Sequence, residues 1–256
     1  MGGSARKRLW HLGLVVLVAA ATPLWGASRV DTSAVSYQSG TEQATGYLVR
    51  PAGAGPFPGL VVIHEWWGLN DQIKGTAEAL AREGYVALAV DLYRGRVTTD
   101  ASEAHEIMRG LPEDQAIRDL RAAVAYLRGR PDVHGDRIGS IGWCMGGGYS
   151  LALAIHQPDL AASVIYYGRL ATDRTLLARI QAPVLGIFGE EDRGIPPTAV
   201  QGFEQAMIAL GKTVEIHIYP GAGHAFANPE RPSYRKTAAD DAWNRTSAFL
   251  AKFLNP

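Results

Sequence analysis

The chain has 256 residues, 47% hydrophobic and 20% charged, with a formal net charge of +0. That length suits one α/β domain with a full core, and the balance leaves no basic footprint for nucleic acid. A single cysteine excludes an internal disulfide framework.

Arg6, Lys7 and Arg8 precede an apolar stretch from Leu12 to Ala21. The stretch has the length of a signal h-region and is short for a membrane span. Small residues at Ala19–Ala21 and Gly26–Ala27 offer cleavage points. Residues 1–27 are therefore expected to direct export, to the periplasm or the medium, and to be removed; an uncleaved N-terminal anchor is the alternative. Cleavage at Ala27 takes away three of the 25 basic residues and no acid, leaving 22 against 25 and a net of −3. Residues 28–256 are expected to be one domain, a monomer without membrane contact.

Ser36–Ser39 and Thr45–Val49 suggest a short hairpin around Gly40, and Gly59–Ile63 is a continuous apolar run, as in a strand buried on both faces. Asn70 or Asp71 can cap a helix reaching Glu83 and stopped by Gly84. Tyr85–Val90 is a second buried strand, followed by a polar loop from Asp91 to Thr99. Helices are predicted over Ala101–Arg109 and Pro112–Arg128, the latter with Pro112 in its first position and Glu113 and Asp114 suiting its N-terminus. Arg137–Gly142 is a strand, Trp143–Gly148 a sharp turn, and a helix runs on to His156. Strands at Ala162–Tyr166, Pro183–Phe188 and Val214–Tyr219 and helices at Pro196–Leu210 and Thr237–Leu254 complete the order. Strands alternating with helices predict an α/β fold with a mostly parallel central sheet and helices on both faces. Ligands of such sheets sit beyond the carboxyl ends of the strands.

Gly142-Trp143-Cys144-Met145-Gly146 lies between a strand and a helix. A turn sharp enough to lift a nucleophile above the sheet has no room for side chains two positions either side of it, and both positions are glycine. A lone cysteine is often an inert core residue. Here it would stand at a helix N-terminus, which favours a thiolate, and the next N–H, of Met145, can face a developing oxyanion. Asp192 follows the strand ending at Phe188, and His224 follows the last strand. Nucleophile, acid and base in that chain order are the α/β-hydrolase arrangement. Glu190 and Glu191 compete for the acid role, and Asp192 is preferred as the residue furthest past the strand.

His64-Glu65-Trp66-Trp67-Gly68 follows the strand that supplies the second oxyanion donor in such folds. It lacks the second histidine of a metalloprotease motif, and no spacing elsewhere supports a metal or calls for a cofactor. Adjacent tryptophans cannot face one side of a strand, so one should line a pocket or the surface. Glu65 needs a partner if buried, an arginine being the plain choice. Arg94 and Arg96 either bind an anionic group or are solvated.

Together these segments, with Asp91-Leu92-Tyr93, Tyr166-Tyr167-Gly168 and Gly223-His224-Ala225-Phe226, resemble the dienelactone hydrolase family over nearly the whole mature chain. The resemblance implies an α/β-hydrolase with Cys144 as nucleophile, His224 as base and Asp192 as its partner. It implies that Glu65 contacts the resting thiol and that the Met145 and Trp66 N–H groups form the oxyanion hole. Two arginines clamp the substrate carboxylate in dienelactone hydrolase itself; Gly95 and Asn228 stand at the matching places here, so that clamp is incomplete or rebuilt. Trp67, Tyr93, Arg94, Arg96, Tyr167, Phe226 and Asn228 are the expected substrate contacts. The expected activity is hydrolysis of a small ester or lactone through a thioester. A non-catalytic binder of small lipophilic ligands and an acyltransferase are the alternatives.

Overall fold

The computed structural model describes residues 1–2 and 29–255. Beyond Met1 and Gly2, the expected export segment lies outside the described residues. The rest is built on one eight-stranded sheet of order β1-β2-β4-β3-β5-β6-β7-β8. β1 (Val30–Ser39) and β2 (Glu42–Pro51) form an antiparallel hairpin that turns at Gly40, and β2 pairs antiparallel with β4 (Val86–Asp91). β3 (Phe57–Ile63), β4, β5 (Val133–Trp143), β6 (Ala162–Tyr166), β7 (Val184–Gly189) and β8 (Val214–Tyr219) run parallel.

Continuous apolar strands feed two cores. In β3, Val61 and Ile63 face one side and Leu60 and Val62 the other. The first core is covered by α2 (Ala101–Gly110), α3 (Glu113–Arg128), α4 (Met145–His156) and α6 (Pro197–Ala209), through Ile107, Leu120, Leu151 and Phe203. The second lies under α1 (Asp71–Arg82) and α7 (Lys236–Leu254), through Ile73, Leu80, Phe249 and Leu250. The expected α/β architecture with helices on both faces is the observed one. Asn70 caps α1, its side chain accepting from the Ile73 N–H at 3.2 Å.

β1 and β2 exceed the predicted hairpin because their outer residues are exposed and polar, which hides the apolar alternation. β5 starts four residues before its predicted strand, across a register shift opposite Pro58 and Gly59. A four-residue α5 (Arg174–Leu177) is too short for a periodic signal. No described helix is long and apolar enough to cross a membrane.

Candidate active site

Cys144 sits between β5 and α4 with φ 55° and ψ −118°, outside the ordinary regions for an L-residue. Its N–H donates to the Tyr166 carbonyl at 3.0 Å and its carbonyl accepts from Gly148 at 3.2 Å. The glycines around it are sterically required. A Cβ on Gly142 would run into the Gly146 backbone, and one on Gly146 into the Ile63 and His64 carbonyls. Gly146→Ala is expected to lower the unfolding free energy by about 3 kcal/mol through overpacking. Urea denaturation measures this, and an unchanged midpoint would mean that the turn can move aside.

Two loops bring polar groups to this turn. After β8, His224 donates or shares its Nδ1 proton with Asp192 Oδ2 at 2.7 Å. After β7, buried Asp192 is held by its other oxygen, Oδ1, which accepts from Gly194 at 2.9 Å and Ile195 at 3.2 Å. Glu190 and Glu191 are exposed, and Glu190 accepts from the Gly221 N–H at 3.1 Å. The Cys144 thiol is close enough to the same imidazole to favour its protonated form. Burial works against charge on His224, but Asp192 and Cys144 outweigh it and raise its pKa from 6.5 to about 10. Burial likewise works against charge on Asp192, yet its bonds to His224, Gly194 and Ile195 hold its carboxyl below the usual range.

The backbone carries strain where these loops meet: Tyr167 has φ 37° and Ala225 φ 59°. Buried Tyr167 packs edge-on to the His224 ring at 5.2 Å between centroids and to Phe226 at 5.7 Å. Phe226, fully buried and also against Tyr219, backs the Tyr167 ring that packs on the histidine. Among the described residues, neither the Met145 nor the Trp66 N–H donates to a turn, loop or cap acceptor. Trp66 and Met145 are half-buried, as is Cys144.

The Dienelactone hydrolase family profile matches residues 44–254. The chain belongs to the dienelactone hydrolase family. A protein of Methylorubrum extorquens, provisionally named a carboxymethylenebutenolidase, is 38% identical over 221 residues, 81% of this chain and 76% of the relative. One from Bradyrhizobium, provisionally named a 2-oxo-3-(5-oxofuran-2-ylidene)propanoate lactonase, is 36% identical over 222 residues, 82% of this chain and 89% of the relative. A crystal structure from Klebsiella pneumoniae, provisionally described as a dienelactone hydrolase, superposes with a TM-score of 0.82. It is 31% identical and covers 88% of this chain and 100% of its own. The sheet is accordingly that of the α/β-hydrolases.

In this dienelactone hydrolase-family chain the rest of the site is built around Glu65. Glu65, buried after β3, accepts from Asn228 Nδ2 at 2.7 Å and more weakly from the Tyr167 hydroxyl at 3.5 Å. Among the described residues these bonds, and none to the Cys144 sulfur, hold its carboxylate. Burial raises the Glu65 pKa, opposed by Asn228, Arg231, His224 and Tyr167. Asn228, expected to touch substrate, is buried; besides bonding Glu65 it accepts from the Glu230 N–H at 2.9 Å.

Arg94, another expected contact, points away: positive φ turns it toward buried Asp119 of α3 at 2.8 Å and Glu42 of β2 at 3.5 Å. Arg96 is exposed and pairs with Glu103 at 3.5 Å. Trp67 and Tyr93 are nearly buried, Tyr93 with its hydroxyl 3.1 Å from the Met145 sulfur. Arg231 brings a cation to this region: its guanidinium lies over Trp67 at 3.9 Å from the ring centroid, and its charge favours the ionised form of Glu65. Among the described residues its buried Nε has no hydrogen-bond partner. Sequence reasoning missed it, since an arginine in an irregular segment between Pro229 and Pro232 carries no periodic signal.

Proposed function

We propose that this protein hydrolyses a small ester or lactone through a covalent thioester on Cys144. The observation that carries the reading is the His224 imidazole, held by Asp192 at 2.7 Å with the strained Cys144 beside it. The relatives named for lactone cleavage support the substrate class.

The Cys144 sulfur bonds to the carbonyl carbon, and the resulting oxyanion meets the Met145 and Trp66 N–H groups. One such donor is typically worth about 3 kcal/mol in the transition state. As the carbon–oxygen bond breaks, His224 delivers its proton to the leaving oxygen. Water then attacks the thioester, gives a proton to His224, and the sulfur leaves as thiolate while the acid is released. Asp192 keeps Nδ1 protonated, so that Nε2 serves the sulfur and the water. The positive start and apolar stretch of residues 6–21 support export of this activity from the cytoplasm.

The experiment is intact mass after mixing with an activated aryl ester, beside iodoacetamide titration. One equivalent of label should abolish turnover, and a transient acyl adduct should map to Cys144. Full turnover by fully alkylated protein would overturn the covalent scheme. Absence of both adduct and product across a broad ester panel would favour a binding protein, and acyl transfer to added alcohol would favour a transferase.

Arg231 gives this site a cation that the matching positions Gly95 and Asn228 lack. Arg231→Gln is expected to raise KM about tenfold for a carboxylate-bearing ester, a charged hydrogen bond being worth about 1.5 kcal/mol or more. The rise should be smaller for the neutral analogue, and equal rises for the two would deny Arg231 this role.

A further inference from the structure

His64 is fully buried at the end of β3 and takes part in no step of the chemistry above. Its Nδ1 lies 2.5 Å from the Glu65 carbonyl oxygen, and its Nε2 lies 3.3 Å from the Leu92 backbone nitrogen. A carbonyl oxygen only accepts and a backbone N–H only donates. The proton is therefore on Nδ1, and Nε2 presents its lone pair to Leu92. The Tyr93 ring closes the pocket edge-on at 4.8 Å. Burial lowers the His64 pKa, opposed by the Glu65 carbonyl and the Asp91 carboxylate at the end of β4, so the ring is neutral.

The Glu65 carbonyl and the Trp66 N–H belong to the same planar trans peptide and point in opposite directions. Whatever fixes the carbonyl aims the N–H. The carbonyls of Ile63 and His64 also pack against Gly146 in the first turn of α4. The peptide that His64 orients thus follows directly on two peptides that rest against the turn carrying the Met145 N–H. The second bond, from Leu92, ties this arrangement to the neighbouring strand.

We propose that His64 is a positioning residue, one neutral imidazole that grips the Glu65 carbonyl and the Leu92 N–H and so holds the Trp66 N–H toward the substrate oxyanion. The proposal rests on the ester-hydrolysis reading above. The Glu65 carbonyl also accepts from the Gly68 N–H at 3.3 Å; without the imidazole that single longer bond is left to hold the Glu65–Trp66 peptide, which can then rotate, and the donor is lost in the transition state while ground-state contacts remain.

Two variants test it. His64→Phe keeps an aromatic ring but removes both polar atoms. Its kcat on a small aryl ester should fall about 100-fold, the scale of a misplaced oxyanion donor, with KM changing less than about threefold. Alkylation of Cys144 by iodoacetamide, which needs no oxyanion hole, should keep its wild-type rate. His64→Gln has an amide N–H for Glu65 and an amide oxygen for Leu92, and should recover kcat to within about tenfold of wild type. Wild-type imidazole 15N signals should show a proton on Nδ1 and none on Nε2 at neutral pH.

Unchanged kcat in His64→Phe, or alkylation slowed as much as turnover, would overturn the proposal. If His64→Phe does not fold, the 15N signals and His64→Gln decide: a protonated Nε2, or a folded Gln variant with a full 100-fold loss, sinks it. A wild type inactive on every ester removes the hydrolase reading and this one with it. An active wild type with an indifferent His64 removes this one alone.

Discussion

Cys144→Ala is expected to lower kcat on small aryl esters about 10⁶-fold, the scale seen when a hydrolase loses its nucleophile. A weak activity above the uncatalysed rate should survive, because the N–H groups of Met145 and Trp66 and the pocket remain. The loss is not expected to come from unfolding. Alanine at φ 55° bears the same kind of strain as cysteine, and the half-buried thiol makes no side-chain cap bond to α4. The urea midpoint should therefore correspond to a change within about 1 kcal/mol. Iodoacetamide incorporation should vanish, since the chain has one cysteine. His224 should also respond: Cys144 is one of the groups that raise its pKa, so the imidazole of the alanine variant should titrate at lower pH, as followed by NMR. Wild-type turnover in Cys144→Ala would remove the covalent mechanism whatever the fold.

The placement of these groups was legible because each follows a strand whose apolar run is unmistakable. Ile141, Phe188 and the alternating Val214–Tyr219 put Cys144, Asp192 and His224 on one edge of a parallel sheet. Gly142 and Gly146 marked the sharp turn, and the observed close approaches show why no other residue fits. What the sequence could not show was side-chain direction. Arg94 stands only three residues beyond β4, yet positive φ and a buried aspartate on α3 carry it away. Nothing in the spacing of Asp119 announces that partner, since it arrives across 25 residues of chain. The aromatic residues were expected as pocket walls, but Tyr167 and Phe226 are fully buried and act as supports. Their burial follows from the tight packing of the β6 and β8 loops behind His224. Arg231 and the two hydrogen bonds of His64 depend on loop paths that no periodicity encodes.

Asp192→Asn is expected to lower kcat about 10⁴-fold, and the geometry gives the reason. Asp192 uses Oδ1 for the Gly194 and Ile195 N–H groups and Oδ2 for His224. In asparagine the single amide oxygen will stay with the two backbone donors, which turns the NH₂ toward Nδ1. An NH₂ group donates, so the neutral imidazole must accept at Nδ1 and carry its proton on Nε2. That is the wrong tautomer for taking a proton from water, and the imidazolium also loses its buried counter-charge. Two pH effects should accompany the loss. The wild-type alkaline limb of kcat/KM, where His224 gives up its proton, should lie near the raised value of about 10; in Asp192→Asn it should move to lower pH. For stability, a histidine raised from 6.5 to about 10 on folding contributes in full below 6.5 and loses that contribution as pH climbs to about 10. The wild-type urea midpoint should therefore decline across that window more steeply than the variant's. Equal slopes, with an alkaline limb left in place, would mean that the aspartate does not govern the charge on the imidazole.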